Sequence, residues 1–365
     1  MNKRIAARRS AGRVLGVLVV AACAAGDADN LQDEGPAPRS TGSVEGASGL
    51  PPVTDPMILA PVEATREGPA DVVNGKALNI PPGALPGVPD VAAIVRGASE
   101  GSSQAAGILL AAGDIATCSS PGDEATASLL DANAGFIAAL GDLTYPDGST
   151  REFAECFHPS WGRHKSRMYP TPGNHEYHQR GAAPYFAYFG VRAGRPGEGY
   201  YSYNIGAWHL IVLNSYSSTS TTSPQMGWLR RDLAANRMKC TLAYFHRPRF
   251  SSGRHRSSTS AQRFWQALYD AGADVILSAH DHHYERFAPQ TPTGVLDNER
   301  GIQQWVVGTG GAGFSELGAV EPNSEVRNNT THGLLKLTLK PASYDWEFVP
   351  IAGGTFTDAG TRTCH

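Results

Sequence analysis

Three histidines stand within four positions at His280, His282 and His283, in the stretch SAHDHHYER. They follow residues 275–277, an apolar run typical of a buried strand. Neutral imidazole is the commonest side-chain ligand for transition metals, whereas a polar loop that happens to be rich in histidine would bind nothing. The histidines therefore raise the question of a metal site, which the other motifs must answer.

The same arrangement recurs along the chain, with polar side chains placed directly after apolar, strand-like runs. The residues are Asp114 in AAGDIA, Asp142 and Tyr145 in ALGDLTYPD, Asn174, His175 and Glu176 in PTPGNHEY, and His246 in LAYFHRPRF. One Gly-Asp or Gly-Asn pair is usually a turn. Five such groups in this order, each at a strand end, predict a single metal-binding site.

Regular alternation of strand-like and helix-like segments begins near residue 107. The predicted helices cover residues 124–132, 224–236 and 258–271. Strands that alternate with helices predict a layered α/β architecture with its functional residues at the strand ends. The hydrophobic fraction of 41% suits a globular protein. With a net charge of −3, the chain as a whole lacks the excess of basic residues that is typical of nucleic-acid-binding proteins.

The N-terminus reads as an export signal over residues 1–23. A basic segment is followed by the apolar residues 14–22 and then by Cys23. Small residues before a cysteine resemble the lipobox of bacterial lipoproteins, so we expect Cys23 to be lipidated and to anchor the protein in the cell envelope. The alternative is an ordinary signal peptide with a chance cysteine, which would give a secreted protein.

Residues 24–105 are predicted to be a flexible tether. Eleven of the 25 prolines fall between residues 27 and 104, together with much Gly, Ala and Ser. A small all-β domain is the alternative, but the segment lacks the aromatic residues of a core. The catalytic domain is predicted to cover residues 106–365.

Export makes disulfides the natural interpretation of the remaining cysteines. Cys118, Cys156, Cys240 and Cys364 allow three pairings. We favour Cys118 with Cys156, because both follow early metal-motif strands, and Cys240 with Cys364, which would fix the C-terminus. A thiolate metal site is disfavoured because the sequence has no CxxC spacing.

The motifs together resemble the series GD…GD…GNH…H…GHxH of the calcineurin-like metallophosphoesterases, over about residues 107–349. The resemblance implies a four-layer αββα sandwich of two mixed sheets flanked by helices. Tyr145 follows Asp142 by three positions, and Ala116 stands where the wider family has a ligand histidine. Both features resemble the purple acid phosphatase branch. AHDHHYER departs from that branch's GHxHxYER, with Ala279 in place of glycine and His283 in place of a small residue.

This resemblance implies two metal ions and assigns their ligands. Asp142 would bridge the two ions. One ion would be held by Asp114, Tyr145 and His282, and the other by Asn174, His246 and His280. A phenol with a pKa near 10 must ionise to bind, which favours a trivalent cation. Fe(III) is therefore expected in the Tyr145 site, and Fe(II), Zn(II) or Mn(II) in the other.

Several further residues receive roles from the resemblance. His175 and His255 are expected to face the substrate as catalytic residues, and Glu176 to orient its neighbours. Arginines 247, 249, 254 and 256 form either a basic rim or a solvated loop. His283 is expected at the surface or beside the ligands, and residues 308–313 in a tight turn. Structural or surface positions are expected for histidines 158, 164, 178, 209 and 332.

The sequence thus predicts an exported dinuclear phosphatase that hydrolyses small phosphomonoesters by direct attack of a hydroxide that the metals supply. A phosphodiesterase on the same scaffold is the alternative. Residues 190–199 and 291–301 would form the pocket walls, and their sequence does not distinguish a monoesterase from a diesterase. A non-catalytic surface lipoprotein is a third possibility, which the complete ligand set argues against.

Overall fold

The structure is a computed structural model that describes residues 107–365. The predicted export signal with Cys23 and the predicted tether of residues 24–105 lie outside the described residues. Within the described part of the chain, no helix combines the length and the apolar character needed to cross a bilayer.

Two large mixed sheets form the centre of the fold. The first has the strand order β15-β14-β13-β1-β3-β5, and the second has the order β12-β10-β11-β9-β8-β7-β6. In the first sheet the strands are β1 (Gly107–Ala112), β3 (Phe136–Ala139), β5 (Met168–Pro170), β13 (Gly333–Leu339), β14 (Ser343–Pro350) and β15 (Ala359–Thr363). The second contains β6 (Tyr201–Ile205), β7 (Trp208–Val212), β8 (Cys240–Tyr244), β9 (Val275–Ser278), β10 (Tyr284–Phe287), β11 (Gln303–Val307) and β12 (Ser324–Asn328).

The central strands of both sheets run parallel, which brings their carboxyl ends to one edge. β1, β3 and β5 pair in parallel, as do β7, β8, β9 and β11. A short parallel pair, β2 (Ala116–Thr117) with β4 (Thr144–Tyr145), continues this edge. The backbone N–H of Gly113, after β1, donates to the carbonyl of Val307 in the second sheet at 2.9 Å. The two sheets are therefore joined where the metal motifs lie.

Buried strand residues alternate between the two faces of the second sheet. Leu210 and Leu242 belong to the cluster that also contains Leu109 and Ile137 of the first sheet, so they fill the space between the sheets. Their neighbours Ile211 and Ala243 belong to a second cluster, which contains Leu229, Phe264, Trp265 and other helix residues. Because successive strand side chains point to opposite faces, one sheet supplies both clusters.

Helices pack against both sheets, the three longest of them directly. The helices are α1 (Gly122–Ala132), α2 (Thr150–Glu152), α3 (Asn174–Tyr177), α4 (Ala183–Phe189), α5 (Pro224–Ala235) and α6 (Gln262–Asp270). A π-helical turn (Phe153–Phe157) and 3₁₀ turns (Trp161–Arg167, Arg180–Ala182 and Gly190–Ala193) lie between them. Helix α1 contacts β13, and α5 and α6 cover the second sheet. The predicted αββα sandwich of two mixed sheets is confirmed.

Helix boundaries follow the prediction closely in two cases and differ in one. Helix α5 begins at Pro224, with Ser223 as its N-cap accepting the amide of Met226 at 3.2 Å. Helix α6 begins at Gln262, four residues after the predicted start. Ser257 and Ser258 instead bond to the loop before them, since Ser257 Oγ accepts the Ser251 amide and the Ser258 amide donates to Arg249 O at 3.1 Å.

Both favoured disulfides are present in the structure. Cys118 is joined to Cys156, with the Cα atoms 5.0 Å apart, and Cys240 to Cys364, with the Cα atoms 5.6 Å apart. The second bridge fixes β15 and the C-terminus to the start of β8, as expected.

Candidate metal centre

The predicted ligands come together at the edge where the parallel strands of both sheets end. Asp114 follows β1, Asp142 follows β3, and Asn174 begins α3 after β5. His246 and His280 follow the neighbouring strands β8 and β9. Parallel strands deliver such residues to one place because their carboxyl ends share an edge. The structure therefore gathers side chains that lie up to 168 residues apart in sequence, Asp114 to His282.

Three of these residues have a left-handed backbone. The φ angles are 57° at Asp114, 48° at Asp142 and 73° at His280. Residues other than glycine adopt this region at a cost of about 1–3 kcal/mol, and such positions cluster at functional sites. Because the chain turns sharply at His280, the side chains of His280 and His282 diverge although they are only two positions apart.

The first cluster of ligand atoms surrounds the hydroxyl of Tyr145. Its Oη lies 2.9 Å from Asp114 Oδ1, 3.1 Å from His282 Nε2 and 3.3 Å from Asp142 Oδ2. Asp114 is fully buried, and its Oδ2 has no hydrogen-bond partner among the described residues. A buried carboxylate oxygen without a partner is costly, and a cation in this cluster would satisfy it.

The second cluster contains Asp142, His246 and His280, whose ligand atoms all lie within 4.8 Å of one another. His246 Nε2 is 3.1 Å from Asp142 Oδ2. Asn174 Oδ1 accepts a hydrogen bond from the Tyr216 hydroxyl at 3.0 Å, and the ring of Tyr216 lies 6.2 Å from that of His246. Asp142 is only 1% exposed and belongs to both clusters, as a bridging carboxylate must.

Backbone carbonyls orient two of the imidazoles. His246 Nδ1 is 2.8 Å from Leu140 O, and His282 Nδ1 is 2.6 Å from Gly313 O. A carbonyl can only accept, so each Nδ1 carries a proton and donates it, and each Nε2 faces the centre. This second contact is the usual way in which a protein fixes a metal-binding histidine.

Burial and mutual charge determine the protonation of the centre. Burial raises the pKa of Tyr145 well above its usual value, and Asp114 and Asp142 raise it further. Although burial lowers the pKa of His246, Asp142 raises it to about 9. Burial and then His246 lower the pKa of His280. Metal ions that bind here would have to displace protons from Tyr145 and His246, and two cations would fit the donor set of two carboxylates, a phenol, an amide and three imidazoles.

Glycines allow the loops to approach the ligands. A Cβ at Gly173 would lie 2.2 Å from Asp142 Oδ1, and one at Gly141 would lie 2.6 Å from His246 Nδ1. Gly141 also has a φ of 87°. The glycines of the GD and GN motifs are thus required by the closeness of backbone and ligand.

Glu176 ties two of the motif loops together. The side chain is fully buried, and its carboxylate accepts the amides of Gly173 at 2.7 Å, Leu143 at 2.8 Å and Asp142 at 3.0 Å. Burial, together with the nearby charge of Asp142, raises its pKa to about 7. These contacts match the orienting role expected for Glu176.

The two predicted substrate-facing histidines lie at the mouth of the centre. The His175 ring lies 4.3 Å from the ring of Tyr145, and its Nε2 is 3.8 Å from Asp142 Oδ2. His255 is half-buried, with its ring 4.4 Å from that of His280. The structure therefore brings both residues to the metal ligands.

Other polar residues near the motifs are distributed as follows. His283 is fully buried, and its Nε2 lies 3.0 Å from a carboxylate oxygen of Glu285, so a surface position for it was wrong. The guanidinium groups of Arg247 and Arg249 stack on Tyr216 and Phe250, whereas Arg254 and Arg256 are exposed. Histidines 158, 164, 178, 209 and 332 each contact side chains other than the predicted ligands.

Tyr216 is a site residue that the sequence analysis missed. Its hydroxyl donates to Asn174 Oδ1, its ring lies 6.2 Å from that of His246, and Arg247 covers it at 5.1 Å. It follows β7 in the stretch LNSY, so the strand-end rule that found the other residues would have found it too.

Ala279, which replaces the expected glycine, fits because Gly113 faces it. Ala279 is fully buried, and a Cβ at Gly113 would lie 2.6 Å from the Ala279 methyl. We expect Gly113→Ala to lower the free energy of unfolding by about 1–3 kcal/mol through overpacking. Thermal unfolding measures the effect.

The matched double variant Gly113→Ala/Ala279→Gly should recover part of that loss, because it removes the methyl–methyl clash. Recovery should be incomplete, since the new Cβ would still lie 3.0 Å from Gly141 O. Purely additive losses in the double variant would show that this contact does not limit the packing.

Comparison with known proteins gives a matching family model and several relatives. The family model described as calcineurin-like phosphoesterase matches residues 108–284 of this chain. Within that class, the similarity is to purple acid phosphatases. Purple acid phosphatase 23 of Arabidopsis thaliana is 26% identical over 196 residues, which cover 43% of each chain. A purple acid phosphatase of Glycine max is 29% identical over 174 residues, which cover 41% of this chain and 37% of its own.

Among solved structures, a purple acid phosphatase from yellow lupin seeds (Lupinus luteus) has a TM-score of 0.61 at 17% identity, covering 72% of this chain and 54% of its own. GAP50, an anchor in the inner membrane complex of Plasmodium, has a TM-score of 0.55 at 14% identity, with coverages of 72% and 90%. These likenesses concern the fold. The chain spans less than half the length of the curated relatives named above.

Proposed function

We propose that this protein is a phosphoric ester hydrolase that acts on phosphomonoesters with two metal ions. The observation that carries the proposal is the position of the Asp142 carboxylate, which is shared by two clusters of ligand atoms. Two cations held there would activate a water molecule and neutralise charge on the phosphoryl oxygens. The proposed ions are Fe(III) beside Tyr145 and Fe(II), Zn(II) or Mn(II) beside His246.

The chain's own residues would orient the substrate and move protons. His175 Nδ1 is 2.5 Å from Pro146 O, which leaves Nε2 facing the centre. From there, a protonated His175 can deliver its proton to the oxygen of the leaving alcohol. His255, whose ring lies 4.4 Å from that of His280, can donate a hydrogen bond to a phosphoryl oxygen. The two histidines would thus stabilise charge that grows during the reaction.

Rates on nitrophenyl phosphate and bis(nitrophenyl) phosphate test the proposal, measured on protein whose metal content is known. The monoester should react at least about tenfold faster, a difference of about 1.4 kcal/mol in barrier. Removal of the metals by a chelator should abolish the activity, and adding them back should restore it. A faster diester reaction would favour a phosphodiesterase, and no hydrolysis by protein with two bound metals would overturn the proposal.

We also propose that the protein is exported and lipid-anchored. The two disulfides support export, because such bonds persist in oxidising compartments. The small residues before Cys23 support lipidation at that cysteine.

Cys23→Ser is expected to move the protein from the membrane fraction to the soluble fraction, because stable anchoring needs the acyl chains. Specific activity should stay the same, since the described catalytic residues lie at 114 and beyond. Fractionation followed by an activity assay measures both. Wild-type protein that is already fully soluble after export would contradict the lipid anchor.

A further inference from the structure

Asp281 is a buried acid that neither cluster of metal ligands uses. It stands between the two predicted ligands His280 and His282, yet its side chain is fully buried and turned toward the loop of residues 251–255. One carboxylate oxygen accepts the hydroxyl of Ser251, and the other accepts the backbone amide of His255 at 2.8 Å. We call residues 251–255 the histidine loop.

The histidine loop closes tightly over this carboxylate. The Gly253 amide donates to Ser251 Oγ at 3.0 Å, so the hydroxyl bound to Asp281 also holds the middle of the loop. A Cβ at Gly253 would lie 2.3 Å from Asp281 Cγ, so a larger residue would not fit there. The Asp281 carboxylate therefore holds the histidine loop in its folded conformation.

The same contacts determine where the imidazole of His255 lies. Its backbone nitrogen is bound to Asp281, and its ring lies 4.4 Å from the ring of His280 at an angle of 34°. Asp281 and His280 are adjacent in the chain, so the loop is attached directly beside a metal ligand. Without the carboxylate, the His255 amide and the Ser251 hydroxyl would both lose their acceptor.

We propose that Asp281 is a positioning residue that holds His255 at the metal centre, where His255 contacts the phosphoryl group. The inference rests on the proposed phosphatase function and names a residue that fixes the position of His255 in the active site. Asp281 is not among the predicted metal ligands, and its carboxylate oxygens bond to Ser251 and His255. The competing explanation is that Asp281 serves folding stability alone.

A double-mutant cycle separates the two explanations. Displacing a substrate-contacting group by about 1 Å can cost 10²-fold in rate, so Asp281→Ala and His255→Ala should each lower kcat/KM by about 10–100-fold. If Asp281 acts through His255, the double variant should be no worse than His255→Ala, within about threefold. Losses that multiply in the double variant would overturn the inference.

Asp274→Ala is the matched control. Asp274 is also a buried carboxylate, and it accepts the amides of Thr241 at 2.8 Å and His365 at 2.9 Å. It lies at the other end of β9, away from the ligands. This variant should lower the melting temperature and leave kcat/KM within about threefold. An equal loss of kcat/KM in Asp274→Ala would mean that lost stability explains the Asp281 result.

Asp281→Asn tests the role of the carboxylate oxygen that accepts the Ser251 hydroxyl. The carboxamide oxygen can accept the His255 amide, but its nitrogen cannot accept the Ser251 hydroxyl. The loss of kcat/KM should therefore be smaller than in Asp281→Ala. A loss equal to that of Asp281→Ala would contradict positioning by the amide contact.

Amide hydrogen exchange gives a readout that needs no activity. In metal-free protein, Asp281→Ala should speed exchange at His255 and Gly253 at least about tenfold, while exchange in β9 stays unchanged. Unchanged exchange at His255 would overturn the inference whatever the kinetics show. A wild-type protein that hydrolyses no phosphoester would instead overturn the proposed function, and the exchange experiment would still decide whether Asp281 holds the loop.

Discussion

Asp142→Ala should abolish phosphoester hydrolysis and metal loading together. The carboxylate of Asp142 lies 3.3 Å from the Tyr145 hydroxyl in one cluster and 3.1 Å from His246 Nε2 in the other. Its loss therefore removes a ligand from both proposed ions. Changing a residue that merely supports a ligand typically costs 10–100-fold in metal affinity, so losing the shared ligand should cost more than about 100-fold.

The measurement is metal content per chain together with the monoester rate. Asp142→Asn is the useful companion, because it keeps the shape and one oxygen while it removes the negative charge. If charge neutralisation matters, Asp142→Asn should also lose one or both metals. Full activity in Asp142→Ala with two metals still bound would show that the bridge has been assigned to the wrong residue.

The candidate ligands at the strand ends were predictable, because each can be recognised from the few residues around it. Asp114, Asp142, Asn174, His246 and His280 each follow an apolar run directly, and parallel pairing then brings them together. Their backbone conformation was not predictable. Nothing in the residue types Asp and His demands the left-handed φ that three of them adopt.

His283 shows where the sequence left two alternatives open. It was expected at the surface or beside the ligands, and the structure excludes the surface position: His283 is buried, because Glu285, two positions later, faces the same side of the chain and binds it at 3.0 Å. Glu285 also accepts the Ser252 hydroxyl at 2.6 Å. Ser252 lies 33 residues from Glu285, so no local pattern could have indicated their contact.

The contact between Asp281 and the histidine loop was unpredictable for the same reason, because it joins residues that are distant in sequence. Ser251 and Asp281 are 30 positions apart, and their meeting depends on how the loops after β8 and β9 fold over the sheet edge. Sequence motifs predict residues that bind a ligand through their own chemistry. They do not predict residues that act by holding another loop in place.

Tyr145→Phe should remove the colour of the oxidised protein. The Tyr145 hydroxyl is surrounded by Asp114, Asp142 and His282 at 2.9–3.3 Å, so a cation in this cluster would bind it directly. Because burial and the two carboxylates raise its pKa well above the usual value, only a strongly charged cation can hold it as phenolate. Phenolate bound to Fe(III) absorbs visible light, so iron-loaded wild-type protein should be violet to pink.

The absorption spectrum and the iron content measure this effect. Tyr145→Phe should lose the visible band and bind Fe(III) about 10–100-fold more weakly, while part of the activity survives because Asp142 remains. Tyr216→Phe is the matched control, since that tyrosine also lies at the centre but donates to Asn174 rather than joining the first cluster. It should keep the band. Active, iron-replete wild-type protein that is colourless when oxidised would mean that Tyr145 is a packing residue and that the centre holds two divalent ions.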